Sequence, residues 1–342
     1  MAKRRILIWL PSPMGDAIMA VPALRAIRRR YEKDHIIFIA SQSNEQVLSP
    51  CPYCDEWLTQ DSFFRNLEYI KAEHFHTAIL LKNSFGSALT VRLAHIPQRI
   101  GYARDGRSPL LTDRIQPLRN PDGGFAPTSA IDYYLRIAEM LGVEAGDRRL
   151  ALSFTDSDTN LLREKLPAVF SQSGPLVILV PGGAFGPSKC WPSDRFAKVA
   201  DTLTDCYNAQ MVISIAPTNR EKYIAGEIQK RSACSLINLG DSPLPLGALK
   251  ALFARADLVI TNDTGPRHIT AALGRNLISL FGPTNPEWTR TGYDKETQIV
   301  GRAPCVPCDK PTCKKNRHFC MESITVEEVL NAAKERLDGG RR

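Results

Sequence analysis

Residues 257–274 read DLVITNDTGPRHITAALG. DLVIT has the apolar, β-branched character of a buried strand, TNDTGP is a polar turn, and HITAALG opens a helix. A strand passing into a helix through a short polar turn is the repeating step of a parallel, doubly wound sheet. In such sheets ligands lie beyond the carboxyl ends of the strands, so the same turn marks both a fold and a site.

The step recurs along the chain. Upstream lie LVILV (176–180), a Gly-rich loop, a helix over DRFAKVADTLTD, a strand in QMVISIA, a helix over NREKYIAGEIQKR, a strand in SLINLG and a helix over LGALKALFARA. An earlier series holds ILIWL (6–10), one helix over DAIMAVPALRAIRRRY, IIFIA (36–40), TAILLK (77–82) and a helix over SAIDYYLRIAEMLG. Between the last two, Ile100 to Thr128 is rich in Gly, Pro and Arg without periodicity and is expected to be a long loop. The fold class is therefore α/β, with two Rossmann-like doubly wound domains facing across a cleft. The polar stretch ending at Ser171–Pro175 places their boundary at 1–172 and 173–342.

Length agrees, because 342 residues suit two cores of ordinary size. With 43% hydrophobic and 23% charged residues the chain is globular rather than disordered or fibrous. No apolar run reaches the roughly 18 residues a membrane span needs, and ILIWL lacks the context of a signal peptide. Nine cysteines, an odd number, speak against a secreted disulfide scaffold and for a reducing, cytoplasmic setting. A net charge of +8 favours an anionic partner without choosing one. Neither half carries GxGxxG after its first strand, which counts against a dinucleotide-dependent dehydrogenase.

Three strand-to-helix turns carry the chemistry. In the opening segment, backbone N–H groups at Thr264 and Gly265, the Thr264 hydroxyl and the positive end of the helix could hold a phosphate or diphosphate, with His268 donating from the first turn. Asp263 could orient a sugar hydroxyl. The plainer reading makes Asp263 or Thr264 an N-cap and His268 a satisfied side chain. In LVPGGAFGPSKCWPSDRF (179–196), Lys189 offers a point charge to a diphosphate or is a solvated lysine, and Trp191 is a packing residue. In WLPSPMGDAIMAVPAL (9–24), Asp16 at a helix start could serve as general base towards an acceptor hydroxyl or merely cap the helix.

MGDAIMAVPAL, PGGAFGPSKCWP and NDTGPRHITAALG, in this order, resemble the motifs of the heptosyltransferase family, glycosyltransferase family nine, over nearly the whole chain. LLKNSFGSALTVRLAHIPQRIGY (80–102) is similar to the lipopolysaccharide heptosyltransferase II branch. The resemblance implies a GT-B fold and inverting, metal-independent transfer of heptose. Its donor would be ADP-heptose in the C-terminal domain, and its acceptor the lipopolysaccharide inner core at the inner membrane surface. It implies Asp16 as base and Lys189, Thr264, Gly265 and His268 as diphosphate ligands, with Asp263 on the heptose and Glu221 on the ribose. Lys82, Asn83, Arg99 and Arg104, with Arg107, would meet acidic groups of the acceptor or the leaflet, unless they are solvated loop residues. The family often has Leu-Met where this chain has Pro266-Arg267, and Arg267 could touch a phosphate or point to solvent.

Near the end, Cys305, Cys308, Cys313 and Cys320 follow the spacing C-x2-C-x4-C-x6-C. Four thiolates so spaced could hold a structural zinc ion or an iron–sulfur cluster, or remain reduced in a tight loop. Cys51 and Cys54 form a separate CPYC turn without partners nearby in sequence. Two alternatives stay open: a GT-B transferase or epimerase using another nucleotide sugar, and a basic nucleic-acid-binding protein with a zinc tail. Poor aromatic interleaving around Lys314, Lys315 and Arg317 makes a nucleic-acid partner the less expected.

Overall fold

The computed structural model describes residues 3–144, 146–171, 173–315 and 317–339. It divides into two compact units, Met1–Leu150 with Glu287–Thr291, and Ala151–Pro286 with Gly292–Arg342.

Unit 1 contains β1 (Arg5–Trp9), α1 (Met14–Met19), α2 (Val21–Arg30), β2 (His35–Ala40), α3 (Gln42–Leu48) and β3 (Glu56–Thr59). These are followed by α4 (Phe63–Ala72), β4 (Thr77–Leu80), α5 (Phe85–Leu93), β5 (Gln98–Tyr102), β6 (Asp113–Ile115) and α6 (Ala130–Met140). The strands are parallel in the order β3-β2-β1-β4-β5-β6. Ile6, Leu7, Ile8, Ile36, Ile37, Ile79 and Leu80 are fully buried, as continuous apolar runs covered by helices on both faces must be.

Two expectations change here. The helix expected over 16–31 is two, α1 and α2, divided at Ala20 where Pro22, lacking an N–H, opens the second. The expected long loop from Ile100 to Thr128 includes the end of β5, the three-residue β6 and a single bridge between Arg119 and Phe125. Pairings that short leave no periodicity to read.

Unit 2 begins with α7 (Asp156–Lys165), β7 (Leu176–Val180), α8 (Ser193–Tyr207), β8 (Gln210–Ile213), α9 (Asn219–Arg231) and β9 (Leu236–Asn238). It continues through α10 (Leu246–Arg255), β10 (Leu258–Asn262), α11 (Gly265–Ala272), β11 (Leu277–Phe281), β12 (Glu296–Val300), α12 (Phe319–Glu322) and α13 (Val326–Gly339). Its parallel sheet runs β12-β11-β10-β7-β8-β9, the same order as in unit 1. The boundary expected at residue 172 lies inside this unit, because the polar segment before it forms α7. Thr155 and Asp158 close a capping box at the start of α7. A Cβ on Gly247 would stand 1.9 Å from Asp158 Oδ1, so α10 lies directly against that start.

Strand order reverses beside β1 and β4 in unit 1 and beside β7 and β10 in unit 2, and such switch points open a crevice at the carboxyl edge. Asp16 follows β1, Lys82 and Asn83 follow β4, the Gly-rich loop with Lys189 follows β7, and Asp263 to Gly265 follow β10. Trp191 packs as expected: it is 1% exposed, stands edge-on to Phe196 and donates through Nε1 to the Ile324 carbonyl at 3.0 Å. No helix among the described residues is long and apolar enough to cross a membrane.

Candidate active site

In unit 2 the loops after β7 and β10 meet through one ion pair. Lys189 Nζ lies 2.5 Å from Asp263 Oδ2 and 3.0 Å from the Asp263 carbonyl oxygen, and both residues are buried. An ammonium has three donors, so one has no hydrogen-bond acceptor among the described residues. Burial works to raise the Asp263 carboxyl, but Lys189 and then Arg267 outweigh it and hold the group below the usual carboxylate range. Thr284, from the loop after β11, also donates to Asp263 Oδ2, at 3.0 Å.

Beside this pair begins α11. Thr264 occupies its N-cap in extended conformation, yet its hydroxyl makes no capping bond to the first turn. The N–H groups of a helix start left without a cap, together with the helix dipole, suit an anion. Gly183 keeps the neighbouring loop close, since a Cβ there would sit 3.2 Å from Thr264 Cγ2.

Glu221 lies near the start of α9 with both oxygens engaged: Oε1 accepts the Gly183 N–H at 3.2 Å and Oε2 the Ala216 N–H at 2.9 Å. It pins the Gly-rich loop so tightly that a Cβ on Gly182 would stand 2.1 Å from Oε2. Arg220 Nη2 also lies 4.0 Å from Oε1.

Arg267 does not point to solvent. It is fully buried, binds Glu296 on β12 through Nε at 2.6 Å and Nη2 at 3.1 Å, and lies 3.6 Å from Asp263 Oδ1. His268 is buried too, and its Nδ1 has no hydrogen-bond partner among the described residues. Burial, with the Arg267 charge adding, holds its pKa down to about 3. The unfolded chain protonates this imidazole near pH 6.5, so between there and pH 3 unfolding takes up a proton the folded state refuses. His268 therefore contributes stability above pH 6.5 that is lost as pH falls through that window. The Tm of the unit is expected to fall between pH 7 and pH 5, and His268→Asn is expected to flatten the slope. Equal slopes in the two proteins would refute this role.

In unit 1, Asn44 holds the loop before Asp16 by donating to the carbonyls of Pro11 at 2.7 Å and Ser12 at 3.2 Å. Asp16 is half-buried in the first turn of α1, and its charge acts on Tyr134 of α6: burial and then Asp16 push that phenol well above its ordinary pKa. At the end of β4, Lys82 Nζ donates to Gln60 Oε1 at 2.8 Å beside the Trp9 ring, with burial lowering its pKa. Asn83 Oδ1 accepts from Tyr133 Oη at 3.1 Å and Arg107 Nη2 at 2.7 Å. Arg104 stacks on Phe125 and pairs with Asp105.

Lys82, Asn83 and Arg104 thus belong to the carboxyl edge with Asp16. Arg99 does not. It occupies the second position of β5, at the opposite end, and its guanidinium binds the carbonyls of Leu110 and Ile96. Arg107 is fully buried and spent on Tyr102, Lys82 and Asn83, so it shapes the site from beneath.

Cys305, Cys308, Cys313 and Cys320 line one small cavity in unit 2. Cys313 Sγ turns to the Arg317 carbonyl at 3.6 Å, and Cys320 is buried against Gly282. Among the described residues no three His, Cys, Asp or Glu side chains are grouped so as to hold an ion.

Sequence reasoning missed Thr284, Glu296, Tyr133 and Gln60. For Thr284 a signal existed in FGPTNP, a Gly/Pro turn directly after an apolar run.

The family model for glycosyltransferase family 9 (heptosyltransferase) matches residues 63–318. The chain belongs to this family and is a glycosyltransferase. It is 27% identical to lipopolysaccharide heptosyltransferase 2 of Salmonella typhimurium, covering 95% of this chain and 96% of that protein. It is 24% identical to lipooligosaccharide heptosyltransferase 2 of Campylobacter jejuni, covering 97% and 98%. The structure of E. coli ADP-heptose LPS heptosyltransferase II superposes with a TM-score of 0.79 at 24% identity, over 99% of this chain and 100% of that one. The GT-B fold expected from the motifs is thereby shown.

Proposed function

We propose that this family member is an inverting, metal-independent heptosyltransferase that moves heptose from ADP-heptose to the lipopolysaccharide inner core. It would do so at the cytoplasmic face of the inner membrane, as a peripheral protein. The observation that carries the reading is the uncapped start of α11 beside the buried Lys189 ammonium, where helix N–H groups and an ammonium donor would meet the charge gathering on a departing diphosphate. The ADP-heptose and lipopolysaccharide named for the matched proteins supply the substrate classes.

In this reading Asp16 accepts the proton of the acceptor hydroxyl, whose oxygen attacks the anomeric carbon of heptose from the face opposite the diphosphate. The C–O bond to ADP breaks as the new one forms. The negative charge then growing on the terminal phosphate is met by the third donor of Lys189 and by the N–H groups of Thr264 and Gly265. His268, buried and neutral in the first turn of α11, braces that helix start beneath the phosphate. Asp263, held in place by Lys189 and Thr284, faces the heptose, and Glu221 faces the ribose. Lys82, Asn83 and Arg104 receive acidic groups of the acceptor. No step runs through a metal, and the metal content of the purified chain tests the cysteines separately.

The test is transfer from ADP-heptose to a heptosylated core acceptor, with and without EDTA. Lys189→Ala is expected to raise the donor KM by about 10- to 100-fold, the worth of a charged hydrogen bond of roughly 1.5–3 kcal/mol, while EDTA leaves the rate unchanged. Loss of activity with EDTA, or an unaltered donor KM, would overturn the reading.

A further inference from the structure

The cysteine-bearing segment has no part in the reaction just described, yet one short piece of it touches both loops that converge on Asp263. On one side the Pro283 carbonyl accepts from the N–H groups of Cys308 and Asp309, both at 2.9 Å, and Asp309 Oδ1 accepts from the Asn285 N–H at 3.3 Å. Between those two anchors lies Thr284, the donor to Asp263 Oδ2. On the other side the Ser188 N–H donates to the Pro311 carbonyl at 3.2 Å, and Ser188 Oγ to the Lys310 carbonyl at 2.6 Å. Ser188 is buried and directly precedes Lys189, the second partner of Asp263. The fit leaves no slack: a Cβ on Gly186 would stand 2.2 Å from the Pro311 carbonyl oxygen.

We propose that Cys308–Pro311 is a positioning element of the donor site, a backbone tie that holds the Lys189 loop and the Thr284 loop together on Asp263. The argument is one of entropy. Each loop after a strand is free to move at its tip, and a lysine or threonine on a mobile tip would bind a diphosphate only after being ordered. Four residues bonded to both tips order them beforehand. The tie is made mainly by backbone carbonyls and amides, so it tolerates varied side chains, and Gly186 is needed for the close approach.

This inference rests on the proposed donor site, and its test has one arm that needs no ligand. Ser188→Ala removes the bond to Lys310 at a position outside the reacting groups. Hydrogen exchange is expected to quicken at 183–189 and also at 308–311 and 281–285, while β1 and α1 in unit 1 are unaffected. In the second arm, ADP binding is expected to weaken about 2- to 10-fold, the worth of one hydrogen bond of roughly 0.5–1.5 kcal/mol. The donor KM should rise in step, with kcat and acceptor KM unchanged. A purely local packing role would quicken exchange at 183–189 alone, and that outcome, or equal losses in kcat and acceptor KM, would overturn the tie. If exchange spreads across all three segments in a chain that binds no ADP, the tie stands and the donor assignment falls.

Discussion

Asp16→Asn is expected to lower kcat by about 10²- to 10⁴-fold, the usual worth of a general base, while the donor KM stays as it was. Asparagine keeps the size of the side chain and removes its charge, and with it the capacity to accept a proton. The loop before it is held by Asn44 on the carbonyls of Pro11 and Ser12, so the substitution leaves the backbone in place. Lys189, Asp263 and Thr264, the residues proposed for the donor, belong to unit 2, whereas Asp16 belongs to unit 1. A loss confined to turnover is therefore the signature of a base and not of a binding residue. Steady-state rates at saturating ADP-heptose, with ADP affinity measured by calorimetry, make the comparison. If Asp16→Asn turns over at the parent rate, the proton leaves by another route and the mechanism is wrong.

Arg267→Leu should be the most destabilising single change in unit 2, by about 3–5 kcal/mol. Arg267 is wholly buried, forks onto both oxygens of Glu296 and lies over the Phe281 ring. Burial works to raise the Glu296 carboxyl, and Arg267 overcomes that to hold it below the ordinary carboxylate range. Without the guanidinium this buried carboxylate loses its bidentate cationic partner, and the donors Ser279 and Gln298 are neutral. At roughly 2–4 °C per kcal/mol for a unit of this size, the fall in Tm should be about 6–20 °C. The double variant Arg267→Leu with Glu296→Leu should recover much of the loss, because a buried apolar pair costs less than a buried unpaired charge. A double variant as unstable as the single one would place the cost in lost packing instead.

The two changes bear differently on what a sequence shows. Asp16, Lys189 and the turn from Asp263 to Gly265 were legible because each follows an apolar strand and precedes a helix, and local order alone carries such residues to a carboxyl edge. Nothing local distinguishes Arg267. It sits in the first turn of α11, directly after a polar turn where an arginine is commonly solvated, and its partner Glu296 comes from a strand 29 positions on. Arg99 failed for the same kind of reason: its charge pattern resembled that of Arg104, but a five-residue strand separates the two ends of the sheet, and Arg99 is at the wrong one. The four cysteines are legible as neighbours, with metal ligands or reduced thiols both left open, and they line one small cavity because their spacing keeps them on one short segment.

By itself, then, the sequence determined two doubly wound units and the turns that carry the residues proposed for donor and acceptor, because periodicity and strand-to-helix order are local properties of the chain. Only the tertiary structure decided which charges are spent inside. Lys189 against Asp263, Arg267 against Glu296 and Glu221 against the Gly183 amide are pairings between segments far apart in sequence. Their existence depends on burial, where an unpaired charge is too costly to persist.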